Sequence, residues 1–382
     1  MNKEDRLPLF ISYIASSSMT IMAFFLSLYL FNKGFSLVDI GLLMGIPILL
    51  SFLISIPIGL INDRQNSKTL IIIGLLFIGL AVISITFFST FWLIMGFLVL
   101  KTIGMNLFSI SMDSLIFKRK SLIETKKNDI FKFYTGGMGI ANGLTILSCG
   151  LFFLFFNLET LIIVAGVITL FLMFLSFFLP NTEKTEISLF HYKDLLVSKE
   201  AVIFGIIIFL FALHFGPEVT NYSLFLQEVF DLTKTQMAIY MGVPILPLGI
   251  SAFIFGSKMQ KGMASYKVLL MGLFFNGIGH IIQAIPYLPI SFLGRIIHET
   301  GDGAVMIFTM FGISILFPKE KIGGILGLNT FLKVIATFLS SLACGYLASI
   351  YNNSVPFVVA GILCLASLFL AYYYRSLLTH QQ

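Results

Sequence analysis

Twelve apolar runs, each about twenty residues or longer and separated by short polar breaks, leave this chain of 382 residues only one solvent to fold in. A helix needs about 20 apolar residues to cross the hydrocarbon layer of a bilayer. No water reaches the peptide groups there, so a spanning segment must be a helix or part of a closed barrel, and these runs are too long for barrel strands. The expected spans are 8–31, 38–61, 69–88, 90–116, 133–156, 160–179, 201–228, 235–256, 266–285, 289–317, 322–350 and 354–375. With 58% of residues hydrophobic and 11% charged, too little polar surface exists to coat a water-soluble globule. An all-α polytopic membrane protein of twelve transmembrane helices is the expected fold class.

Lys and Arg placement tests this map. If the N-terminus is cytoplasmic, 19 of the 24 basic residues fall in cytoplasmic segments, six of them in the loop holding Lys118, Arg119, Lys120, Lys126, Lys127 and Lys132. External loops hold only Lys33 and Lys234, while Lys101, Arg295 and Lys333 lie within spans. A missed span would scramble that asymmetry, so a multi-pass protein of the plasma membrane with both termini cytoplasmic is expected. Lys3 and Arg6 precede the first run as they would in a secretory leader. Glu4 and Asp5 dilute that charge and the run is long enough to span, so it reads as the first helix. The net charge of +6 has no soluble basic domain to present it, which excludes a nucleic-acid partner. Cys149, Cys344 and Cys364 sit inside apolar runs, as small buried hydrophobes do, and not in a disulfide or metal framework.

The longest polar interruption divides the chain into six spans and six: residues 1–180, a cytoplasmic linker 181–200, and residues 201–382. The halves repeat. Met44-Gly45-Ile46-Pro47-Ile48-Leu49 returns as Met241-Gly242-Val243-Pro244-Ile245-Leu246 at an offset of 197, which also brings Ser36 to Thr233, Gly59 to Gly256 and Arg64 to Lys261. Leu147-Ser148-Cys149-Gly150 matches Leu342-Ala343-Cys344-Gly345 at an offset of 195. An even number of spans per half gives both copies the same orientation, so the repeats are parallel.

The loop after the second span reads Gly59-Leu60-Ile61-Asn62-Asp63-Arg64-Gln65-Asn66-Ser67-Lys68. It resembles the G-x-x-x-D-R-x-x-x-[RK] signature of the major facilitator superfamily, with Gly59, Asp63, Arg64 and Lys68 matching and Asn66 and Ser67 departing from the usual Gly and Arg. In the second copy Gln260 and Lys261 stand at the Asp-Arg positions. The resemblance implies a cytoplasmic latch, in which Asp63 and Arg64 hold the halves together by charge-assisted hydrogen bonds and Asp113 pairs with them. Asp113 follows Lys101 by twelve residues and is turned about 120° from it. The same resemblance places the first, fourth, seventh and tenth spans around the substrate.

Ionisable residues collect on those spans. A charge near mid-bilayer costs at least roughly 2.5–3.5 kcal/mol and marks function when it occurs. Arg295, His298, Glu299 and Asp302 fall at i, i+3, i+4 and i+7 on one stripe of the tenth span. His214, Glu218 and Asn221 share a stripe of the seventh, Lys101 lies near mid-depth of the fourth, and Tyr13, Ser16 and Ser17 lie on the first. Carboxylates there can take up protons from one side and release them to the other, so Glu218, Glu299 and Asp302, then His214 and His298, are the expected proton carriers. The competing reading is an ion-pair network that only ties helices together. His298-Glu299-Thr300-Gly301-Asp302 is one change from the zinc-protease H-E-x-x-H, but no third ligand motif is evident and Arg295 would repel a cation, so neither metal nor cofactor is expected. A non-transporting receptor on the same scaffold would not need titratable residues.

Gly136, Gly137, Gly139 and Gly143 on the fifth span allow close helix approach and partly resemble the signature of proton-antiport exporters, though Leu144 replaces its Pro. No Walker A pattern points to ATP. A monomeric, proton-coupled secondary transporter of a small molecule is therefore expected, with export favoured over uptake.

Overall fold

In the computed structural model of the chain, which describes residues 3–122, 129–182 and 198–378, every regular element among the described residues is helical. Most of the 181–200 linker, and Lys126 and Lys127 of the basic loop, lie outside the described residues. The helices are α1 (Lys3–Asn32), α2 (Leu37–Arg64), α3 (Ser67–Phe87), α4 (Phe91–Leu122), α5 (Asp129–Phe152), α6 (Leu158–Leu175), α7 (Lys199–Ala212), α8 (Phe215–Thr220), α9 (Tyr222–Phe230), α10 (Lys234–Gln260), α11 (Ser265–Gln283), α12 (Leu288–Leu316), α13 (Ile322–Ile350) and α14 (Val355–Tyr373). Among the described residues 12 helices are long and apolar enough to cross a membrane, and all but the seventh keep the bounds expected from sequence to within a few residues.

The seventh span is broken into α7, α8 and α9 where a continuous helix over 201–228 was expected. Pro217 is the cause. It lacks the N–H that would bond the Leu213 carbonyl, and its ring crowds that oxygen. The Gly216 N–H donates to Leu213 O instead, at 3.3 Å, in a tighter turn. Asn221, at φ −110 and ψ −11, separates α8 from α9.

Two compact units divide the contacts. The first comprises Met1–Ile123, Ser148–Leu189 and Lys319–Phe331, and the second comprises Glu124–Leu147, Phe190–Pro318 and Leu332–Gln382. In the first unit α3 is the central helix, packed on α4 and α6. A Cβ at Gly74 would meet the Gly104 carbonyl oxygen at 2.7 Å, so the α3–α4 crossing exists because both residues are glycine. The end of α2 lies on the start of α13, with Gly59 against the backbone of Gly323 and Gly327. Buried Asp63 accepts the N–H groups of Gly323 and Gly324 at 2.8 Å each. A carboxylate there satisfies two donors that a helix start leaves orphaned and opposes the positive end of its dipole.

In the second unit α5 and α10 form an equivalent seam. Gly136 and Gly139 lie against Gly249, and Gly143 against Gly242 and Leu246, while Lys132 Nζ donates to Gln260 Oε1 at 3.0 Å. The 197-residue offset carries Asp63 to Gln260, so the same repeat position closes both seams. Helix starts correspond too: Ser36 with Asp39 opens α2, and Thr233 with Gln236 opens α10, each as a reciprocal capping box. The tightest pairing of the second unit is α11 on α12, where Gly279 faces the backbone of His298, Gly294 that of Gln283, and Gly301 that of Asn276.

Candidate functional site

Three elements of the second unit converge on one buried polar cluster. The broken span supplies His214 and Glu218, α11 supplies Asn276 and His280, and α12 supplies Arg295, His298, Glu299 and Asp302. The stripe read from the α12 spacing is real, since all four of its members are buried. Arg295 is the hub. Its Nη1 donates to Glu218 Oε1, its Nη2 pairs with Glu299 Oε1 one turn along α12, and its guanidinium lies 4.5 Å from the centre of the Tyr222 ring.

Imidazoles occupy the other side. His298 Nε2 lies 2.9 Å from Glu218 Oε1 and 3.6 Å from Asp302 Oδ2, and His214 Nε2 lies 3.4 Å from Asp302 Oδ1. None of these approaches is aligned as a hydrogen bond. Asp302 Oδ1 accepts from Asn276 Nδ2, and His214 Nδ1 is 2.5 Å from the carbonyl oxygen of Phe211. The His280 and His298 rings lie with centroids 4.0 Å apart and planes tilted by 47°, and His214 stands 5.4 and 5.3 Å from them. Gly279 makes this packing possible, because a side chain there would strike the His298 backbone.

With the imidazoles neutral, three carboxylates (Glu218, Glu299 and Asp302) face one guanidinium, which leaves two negative charges uncompensated in a buried place. His214, His280 and His298 each offer a nitrogen within 4.8 Å of the others, and so do the ligand atoms of His214, Glu218, His298 and Asp302; these are the residues that can hold a metal ion.

Other residues singled out in the sequence lie elsewhere. Asn221 is engaged elsewhere: its Nδ2 donates to Asn353 Oδ1 at 2.9 Å while Thr220 donates to its Oδ1. Lys101 belongs to the first unit and lines a cavity of about 10 Å³ with Ser18, Met22, Met105 and Thr169; that is room for one water. Tyr13 is also in the first unit, half-buried on α1. Of the latch residues, Asp63 is buried on the start of α13, Gly59 gives it passage, Arg64 is exposed and Lys68 half-buried. Asp113, on α4, is half-buried. His280 and Asn276 were not singled out. Their signal was a polar stripe, Asn276, His280 and Gln283 at i, i+4 and i+7 in an otherwise apolar span.

A family model described as Major Facilitator Superfamily matches residues 8–264 and, in a second match, 204–381. Curated proteins gave no match. Among solved structures, the crystal structure of the human organic anion transporter MFSD10 (TETRAN) is similar with a TM-score of 0.75, at 13% identity, over 97% of this chain and 100% of that chain. At that identity the likeness is one of fold.

Proposed function

The chain belongs to the major facilitator superfamily and is a multi-pass membrane transporter of a small molecule; from that premise we propose that it works by alternating access, coupled to protons, with export by antiport favoured over uptake by symport. One observation carries the coupling: with its imidazoles neutral and its three carboxylates ionised, the buried cluster is short of two positive charges. A low-dielectric interior does not sustain that imbalance, so cations must enter with each exposure to one side and leave with exposure to the other. Protons are the cations proposed. Glu299 is engaged by Arg295, which argues against its use as the base of a protease, and no catalytic role is proposed.

The Asp63 carboxylate on the α13 amides supports the latch reading, since it ties a span of residues 1–180 to a span of 201–382. Release of those two bonds accompanies opening at the Lys- and Arg-rich end, which is proposed to face the cytoplasm of a plasma-membrane protein with both termini inside. The glycine face of α5 on α10 supports the export direction. Lys101, which forms no ion pair among the described residues, is proposed with Tyr13, also of the first unit, as a substrate contact. The protein is taken to act as a monomer.

Proteoliposome flux under an imposed pH gradient, with a panel of organic cations, anions and neutral solutes, tests the reading. Glu218→Gln, Glu299→Gln and Asp302→Asn should each uncouple flux from the gradient. Wild-type flux that ignores the gradient, and is matched by all three variants, overturns proton coupling.

A further inference from the structure

We propose that His214, His280 and His298, with Asp302 beside His214 and His298, form a binding site for one divalent transition-metal ion of the zinc class. Only the ion's role rests on the transport reading; its binding does not.

The three rings have no exposed surface. Both nitrogens of His280 and of His298, and Nε2 of His214, have no hydrogen-bond partner among the described residues. Burying polar atoms in that state is costly unless something else engages them. The carboxylates beside His214 and His298 are not aligned to hydrogen-bond them, and the fold points the three rings at one another, with ligand atoms within 4.8 Å. Tetrahedral bonds of about 2.0–2.1 Å hold ligand atoms roughly 3.4 Å apart, so side-chain rotations of about 1 Å close the set.

The tautomer of His214 is fixed by its neighbour. Phe211 O, 2.5 Å from Nδ1, can only accept, so Nδ1 carries the proton and the Nε2 lone pair is directed at the cluster. An imidazole oriented by an N–H to a backbone carbonyl is the arrangement that positions metal-binding histidines. Asn276 Nδ2 holds Asp302 Oδ1 in the same supporting way.

Charge agrees. With the imidazoles neutral and the three carboxylates ionised, the cluster lacks two positive charges, and one dication supplies both. Arg295 stands on the same stripe and would repel a cation if free, but Glu218 and Glu299 neutralise it from both sides. Three imidazoles, with a carboxylate beside two of them, suit zinc, cobalt, nickel or copper; magnesium and calcium prefer all-oxygen sets. The third ligand that the H-E-x-x-D spacing lacked comes from His280, on a different helix. A bound ion occupies lone pairs that protons would otherwise use, so zinc inhibits proton-driven flux.

The full-length protein, purified in detergent and stripped with a chelator, is titrated with Zn²⁺ by calorimetry and with Co²⁺ by visible absorption. The expected result is one saturable equivalent per chain, with the absorption bands of tetrahedral cobalt. Asp302→Asn and His280→Gln should each weaken zinc binding by more than about tenfold, with folding checked by elution profile and melting. A variant carrying His191→Ala and His380→Ala, the two remaining histidines of the sequence, should bind as wild type does. No saturable binding to wild type, unchanged affinity in both cluster variants, or loss of binding in the His191/His380 variant overturns the site. Should His280→Gln fail to fold, Asp302→Asn decides. Proton-driven flux in a protein that binds no zinc sinks the metal site alone, and zinc binding in a protein whose flux ignores pH sinks proton coupling alone.

Discussion

Replacing Asp63 by asparagine isolates the electrostatic part of the α2–α13 seam, because the side chain keeps its shape. The carboxylate accepts from Gly323 N and Gly324 N at 2.8 Å each. The amide keeps one acceptor and turns an NH₂ donor toward the second N–H. One hydrogen bond to a charged group is lost, worth about 1.5–3 kcal/mol, and so is the charge–dipole attraction at the helix start, about 0.3–1 kcal/mol when exposed and more when buried. A net loss of about 2–3 kcal/mol shifts the equilibrium between closed and parted seam by roughly 30- to 140-fold. Spin labels on cysteines introduced at the exposed positions Gln65 and Glu320, with Cys149, Cys344 and Cys364 replaced by serine, report the separation by pulsed double-resonance spectroscopy. Wild type should give one short distance and Asp63→Asn a substantial longer population. Identical distributions would refute the assignment of latch strength to this carboxylate.

Three further outcomes are expected. Arg295→Met leaves the buried Glu299 and the part-buried Glu218 without their counter-charge and should cost about 3–5 kcal/mol, seen as a marked fall in melting temperature that adding Glu299→Gln partly reverses. Pro217→Ala restores an N–H to the seventh span and should raise its helix content by circular dichroism while lowering flux, since a continuous helix re-aims Glu218 away from Arg295. Ser36→Ala and Thr233→Ala remove equivalent caps and should each cost about 1 kcal/mol; a large cost for one and none for the other would deny their equivalence.

The spans were legible because partition between lipid and water sums over about twenty residues, so single exceptions do not hide it. The α12 stripe was legible because helical period alone fixes which residues share a face. Partners were not. Arg295 pairs with Glu218 across a helix interruption that Gly216-Pro217 announced but that hydrophobic length concealed. His280 joined the cluster only through the glycine-lined crossing of α11 and α12, a tertiary fact that no single span encodes. Depth along a helix likewise placed Lys101 near mid-membrane without telling which neighbours it would face, and it lies among the methionines of α1 and α4.

The two seams were once one design and are now chemically unlike. At the position where α2 presents an anion to bare peptide donors, α10 presents a neutral amide to the mobile ammonium of Lys132. A buried carboxylate among backbone amides is shielded from ionic strength, whereas a half-buried lysine can be drawn off by counter-ions or anionic lipid. The duplicated molecule therefore has one stiff fastening and one yielding one. Raised salt should therefore loosen the Lys132 contact of α5 with α10 while leaving the Asp63 contact of α2 with α13 intact.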